Sequence, residues 1–193
     1  MTEINENPAV DYGPLALLIG DWQGDKGLDV APKPDGREEQ HPYFETLSFT
    51  AIGNAVNAGK QKLAVLRYQQ VVRRKADGEI FHDETGYWMW DASSSTVMHS
   101  LAIPRAVCVL AGGSWAAEED AGERVSLVVA AKQDDPDWRI VQSPFMRDHA
   151  RTLEFRHEIV VEQDRLSYRE TMLLEIYSKT FEHTDGNELT LVR

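Results

Sequence analysis

The six histidines, at positions 41, 82, 99, 149, 157 and 183, are the side chains of this chain best suited to chemistry near neutral pH. No two of them show the helical i, i+4 spacing of a metal pair or the Cys/His spacing of a zinc site. His82 lies in a strand-like run, and Glu84, Gly86, Trp88 and Trp90 share its parity and hence its face. If that face turns inward, His82 and Glu84 line a cavity; the other reading is a hydrogen-bonded interior network. His99 follows Met98 in another such run and reads as structural, whereas His41, His149 and His157 sit among charged or polar neighbours and read as solvated. On its neighbours alone, His183 reads as a polar residue beside an Asp185-Gly186 turn, with metal ligation as the functional alternative. Arg105 after Pro104, and Arg147 near His149, could clamp a ligand carboxylate; a plain surface arginine is the simpler account of each. There is no Ser-His-Asp order with a nucleophile elbow, no phosphate loop and no dinucleotide fingerprint. Carboxylate pairs are too many for one catalytic dyad to stand out.

The elements that must position these groups are strands. After a short apolar run, Pro14 to Ile19, which fits one helical turn opened by proline and ended at Gly20, the hydrophobic period becomes two. Runs near 43–52, 63–73, 80–90, 96–103, 107–116, 125–131, 138–143, 153–161, 166–176 and 188–192 are rich in β-branched and aromatic residues. Turn chemistry separates them: Asp35-Gly36, Asp77-Gly78, Gly112-Gly113, residues 134–137, Gln163-Asp164 and Asp185-Gly186-Asn187. The expectation is all-β, about ten antiparallel strands in an up-and-down barrel, since closure removes exposed edges. Residues 1–13 read as a flexible tail and 14–193 as a single barrel domain. Residues 25–40, rich in proline, glycine and charge, read as a rim loop or lid. Trp22 in Gly20-Asp21-Trp22 reads as a plug for one end of the barrel, with Arg193 from the last strand over its ring.

Bulk properties narrow the partners. The 193 residues carry 32 acidic and 20 basic side chains, a net charge of −12. So acidic a surface repels nucleic acid and anionic membranes. No apolar run has the length of a membrane helix, and the polar, acidic start lacks the pattern of a signal peptide. The lone cysteine, Cys108, lies in the run Ala106 to Leu110 and reads as a buried thiol in a reducing, cytoplasmic setting. The expected partner is a small molecule held in the barrel, and the chain is compatible with a homodimer.

Gly-x-Trp at the first strand with a late arginine resembles the lipocalin and fatty-acid-binding-protein (calycin) superfamily. Within it, residues 17–24 (Leu-Leu-Ile-Gly-Asp-Trp-Gln-Gly) resemble the nitrobindin opening, Gly-x-Trp-x-Gly-x-Gly. His82-Asp83-Glu84-Thr85-Gly86-Tyr87 resembles that family's His-x-Glu-Thr-Gly-Tyr strand, Ala102-Ile103-Pro104 its proline bend, and Leu166-Ser167-Tyr168 with Met172 its penultimate strand. The resemblance implies a ten-stranded barrel with haem b at one mouth, its ferric iron ligated by one histidine, binding nitric oxide or isomerising peroxynitrite to nitrate. His183 falls where the family's ligating histidine stands, and one imidazole suffices for a five-coordinate haem. By the same carry-over His82, Gly20, Trp22, Gly24 and Gly27 belong to the cofactor site, and Arg105 joins them as a candidate partner for a propionate. Two departures stand out: the glycine spacing Gly24-Asp25-Lys26-Gly27 is one residue longer, and Val30-Ala31-Pro32-Lys33 replaces the family's Tyr-Pro-Thr. The alternative is a carrier of a small apolar or fatty-acid-like ligand without catalysis.

Overall fold

The computed structural model describes residues 10–116 and 123–192. Arg193 and residues 1–9 of the expected tail lie outside them. A 3-10 helix over Gly13–Leu18 precedes eleven strands among the described residues. These are β1 (Gly20–Pro32), β2 (Glu38–Ala55), β3 (Leu63–Arg74), β4 (Ile80–Asp91), β5 (Thr96–Ile103), β6 (Val107–Ser114), β7 (Arg124–Lys132), β8 (Ile140–Gln142), β9 (Ala150–Glu162), β10 (Arg165–Ile176) and β11 (Lys179–Leu191). Ten of them close an antiparallel barrel in which each strand pairs with the next, β7 pairs with β9, and β11 returns to β1. The three-residue β8 lies beside the first half of β6. The second half of β6 meets β7 through Gly112 opposite Ala130.

The 3-10 helix shuts one end. Its Leu15 and Leu18 are fully buried, and Trp22 behind them is 1 % exposed. The Trp22 indole N–H donates to the Leu18 carbonyl at 2.8 Å, so the ring is a plug with its polar atom satisfied. Gly20 makes the bend between helix and strand with φ +140°, a conformation that L side chains rarely adopt. Val10 and Tyr12 also pack on the core, ahead of the first strand.

Several expectations need correction. Residues 25–40 are not a loop: β1 and β2 run through them and leave only residues 33–37 as a turn, where Gly36 has φ +87°. The added residue in the glycine spacing is absorbed as a β-bulge. Gly24 faces Glu45 and Gly27 faces Tyr43, three steps on β1 against two on β2, and β11 shows the same one-residue excess. Asp185-Gly186-Asn187 is no turn; it lies inside β11 in unbroken register with residues 168–170 of β10. The real turn is Tyr177-Ser178, both at positive φ (53° and 59°), as a two-residue hairpin requires. Gly112-Gly113 likewise lies within β6. A six-residue helix, α1 (Pro144–His149), follows β8, with the Ser143 hydroxyl capping it by accepting from the Met146 N–H. Cys108 is exposed rather than buried, because Val107 and Val109 take the inward positions of β6 and the residue between them must face out. Among the described residues no helix is long and apolar enough to cross a membrane.

Candidate functional site

Opposite the plugged end the barrel opens on a cavity of about 690 Å³. That is within the span of small-ligand pockets, roughly 300–1,000 Å³. The interior is therefore not filled by its aromatic residues. The mouth is apolar: Phe145 of α1 and Tyr177 of the β10–β11 turn are 63 % and 47 % exposed on its lip, with Phe81, Ile103, Met172 and Leu174 below them. The deeper wall is polar and acidic. Asp29, Glu170, Asp185, His82 and His183 all face it, and Arg105, exposed at the β5–β6 turn, is the sole arginine or lysine in its lining among the described residues.

His183, Asp185, Asn187 and Leu189 alternate along the inner face of β11, which is why a strand that ends in apolar residues presents polar ones near the mouth. His183 Nε2 lies 2.6 Å from Asp29 Oδ1 on the neighbouring β1. Asp29 is inward only because of the bulge, which flips the parity of β1: Leu28 becomes exposed and Asp29 is 8 % exposed. Directly across the strands, Asp29 faces Asp185 and Asp185 faces Glu170. Burial first, and then the Glu170 and Asp29 charges, hold the Asp185 carboxyl well above the usual carboxylate range.

Below these residues runs a hydrogen-bonded interior. Glu45 accepts from Gln70 (2.6 Å), Asn187 (2.8 Å) and the Tyr168 hydroxyl (3.1 Å), and the Tyr43 hydroxyl meets that of Tyr168 at 2.7 Å. Burial pushes the Glu45 carboxyl up despite those donors. On the opposite wall the Tyr68 hydroxyl donates to Glu84 at 2.5 Å, and His99 Nε2 lies 2.8 Å from the same hydroxyl. His157 Nδ1 lies 3.0 Å from Glu170, and its ring stacks on Tyr168. The expectation of a solvated His157 is thus wrong: it alternates inward with Phe155 and Ile159 on β9 and is 7 % exposed. His99 is structural as expected, fully buried and stacked 4.2 Å from Trp88.

His82 satisfies both of its sequence readings. It lines the cavity, and its Nε2 is 3.5 Å from Glu84 Oε2 at the edge of the interior network. Burial would lower its pKa, but the Glu84 hydrogen bond and charge outweigh burial and raise it above the usual 6.5. Titration followed by the ring-proton NMR shifts should place His82 above 6.5 in the wild type. The value should fall in Glu84→Gln; an unchanged value would show that Glu84 is not the cause.

The other residues carried over from the resemblance lie elsewhere. Gly20 and Trp22 are at the plugged end, seven or more residues from Asp29 along β1, which is roughly 20 Å. Gly24 borders a separate open groove on the outer face of β1, β2 and β9–β11. Gly27 lets the Tyr43 ring approach, since a Cβ there would stand 2.1 Å from it. Arg147 pairs with Asp148 on α1 and does not line the cavity. His41 and His149 are half-buried and exposed, the latter at the mouth. Asp29, Glu170 and Asp185 are the site residues that the sequence did not single out.

A closed antiparallel barrel, plugged at one end and opening at the other on a cavity with an apolar lip and an imidazole in its wall, defines a small-ligand-binding β-barrel. The chain belongs to the family described as the THAP4-like, heme-binding beta-barrel domain, whose family model matches residues 11–190. Among solved structures it is similar to the crystal structure of Rv2717c from M. tuberculosis, with a TM-score of 0.69 and 23 % identity over 95 % of this chain and 100 % of that one. That likeness establishes the shared barrel fold. No curated protein matches the chain.

Proposed function

We propose that the cavity holds haem b with His183 as the single protein ligand to iron. The observation that carries this is the placing of His183: an imidazole in the wall of an open cavity, beneath a lip of exposed aromatic residues, in a chain of this family. The residues fit the group. Phe81, Ile103, Met172 and Leu174 offer apolar surface to a macrocycle, and Arg105 at the rim could pair with a propionate. The carboxylates of Asp29, Asp185 and Glu170 favour the more positive, ferric state of a bound iron. When bound, haem would supply a Lewis-acidic metal that binds nitric oxide or isomerises peroxynitrite to nitrate. The chain's own part is to hold the group by His183, shield it with the apolar lip and present His82 as the titratable donor of the wall.

A carrier of fatty-acid-like ligands fits less well, because a buried ligand carboxylate would meet three carboxylates and no lysine or arginine deeper than Arg105 among the described lining residues. Haemin added to the purified protein should give a saturable Soret band at one haem per chain. A flat titration would contradict the proposal.

A further inference from the structure

We infer that Asp29, His183 and Asp185 form a binding site for one divalent transition cation, and that this ion and haem exclude each other at His183. One donor atom from each of the three residues lies within 4.8 Å of the other two. Donors held about 2.0–2.2 Å from an ion stand roughly 3–4 Å from one another, so the side chains need little movement to close on it. Their backbone positions are fixed by the sheet. Asp29 and Asp185 are opposite partners on β1 and β11, and His183 is two residues before Asp185 on the same face.

Two further observations point to a missing positive charge. Glu170 stands directly opposite Asp185 on β10, so Asp29, Asp185 and Glu170 form a row of three carboxylates on adjacent strands. Like charges directly opposite repel. No lysine or arginine side chain among the described lining residues reaches this row; Arg105 is exposed at the rim. His157 meets Glu170, but the Asp185 carboxyl has neither a hydrogen-bond partner nor an ion pair among the described residues. A cation between Asp29, His183 and Asp185 would satisfy Asp185 and replace the proton shared by His183 and Asp29.

One imidazole with two carboxylates suits Zn²⁺, Mn²⁺ or Fe²⁺ rather than a soft, thiolate-seeking ion. Three protein ligands facing a cavity leave the ion's remaining positions open to water or a small anion, the arrangement of reactive rather than purely structural zinc sites. The ion site stands on this geometry alone. Only the mutual exclusion rests on the haem proposal, because His183 cannot ligate both.

The test uses haem-free protein and two probes, Zn²⁺ and Mn²⁺, each titrated calorimetrically. At least one should bind at one ion per chain, with affinity falling at least tenfold in Asp185→Asn and in Asp29→Asn, variants of nearly unchanged shape whose thermal melts serve as folding controls. No binding of either ion to the wild type, or binding undiminished in both variants, would overturn the inference. Haemin is then added to ion-saturated protein. The Soret band should stay absent until a chelator is added, and an immediate full band would overturn the exclusion. Ion binding without any haem uptake by the ion-free protein would sink the haem proposal and leave the ion site standing; haem uptake without ion binding would do the reverse.

Discussion

Acid should unfold this barrel early, and His99 should be the largest single cause. The ring is fully buried against Trp88. The Tyr68 proton is committed to Glu84, so His99 donates from Nε2 to the Tyr68 oxygen, and its Nδ1 has no partner. Burial, and then the neighbouring His157, push the His99 pKa down to about 3. The unfolded chain takes up this proton near pH 6.5, whereas the folded chain resists until about pH 3. Between those values the unfolded state binds more protons, so stability falls as pH falls, and the loss is complete near pH 3. A difference of about 3.5 pH units corresponds to about 5 kcal/mol, at 1.36 kcal/mol per unit. Glu45 and Asp185 act in the opposite sense, because carboxyls raised by burial take up protons more readily when folded. The informative comparison is therefore between the wild type and His99→Phe. Urea midpoints measured from pH 7 to pH 4 should drop steeply in the wild type and more shallowly in the variant. Parallel curves would show that His99 is not the group responsible.

Gly86→Ala should prevent the barrel from forming, or destabilise it by more than about 4 kcal/mol, the range of a single substitution with a gross steric fault. A Cβ at Gly86 would stand 1.9 Å from the Ser100 carbonyl oxygen and 3.0 Å from the Leu101 Cα. Both are backbone atoms of β5, opposite Gly86 in the ladder, so no side chain can turn aside. β4 and β5 would have to part. Glu84 and Trp88 flank Gly86 on β4, so both the interior network and the stack on His99 would go with them. Thermal melting by circular dichroism measures this. A variant melting within a few degrees of the wild type would contradict the close approach of the two strands.

Most of the barrel was legible because alternation reports one buried face. From the inward positions of His82, Glu84, Trp88 and Trp90, β4 could be read without coordinates. Alternation fails where the backbone changes step. One extra residue between Gly24 and Gly27 reverses the parity of β1, and so a charged residue, Asp29, is buried while its apolar neighbour Leu28 is exposed. The one trace of that reversal is the longer glycine spacing from Gly24 to Gly27, which does not by itself say that the extra residue shifts the face of the strand, and Asp29 was missed for that reason. Asp185-Gly186-Asn187 misled in the other direction. Residues that favour turns also serve inside a strand when their side chains line a polar interior, and here Asn187 donates to Glu45. Counting back by twos from Leu189 would have reached Asn187, Asp185 and His183. The hairpin at Tyr177-Ser178 left no trace because neither residue is glycine or asparagine, and both still adopt positive φ. His157 looked solvated because its sequence neighbours are charged, yet those neighbours, Arg156 and Glu158, pair with each other outside the barrel.

If His183 is the residue by which the cavity holds haem iron, as proposed, its removal alone should abolish ligation. Haemin titrated into His183→Ala, with His82→Ala alongside, separates the two cavity histidines. The Soret band of the wild type should be lost in His183→Ala, with affinity down at least a hundredfold, and should persist in His82→Ala. A His183→Ala protein that binds haemin with the wild-type spectrum and affinity would contradict the assignment.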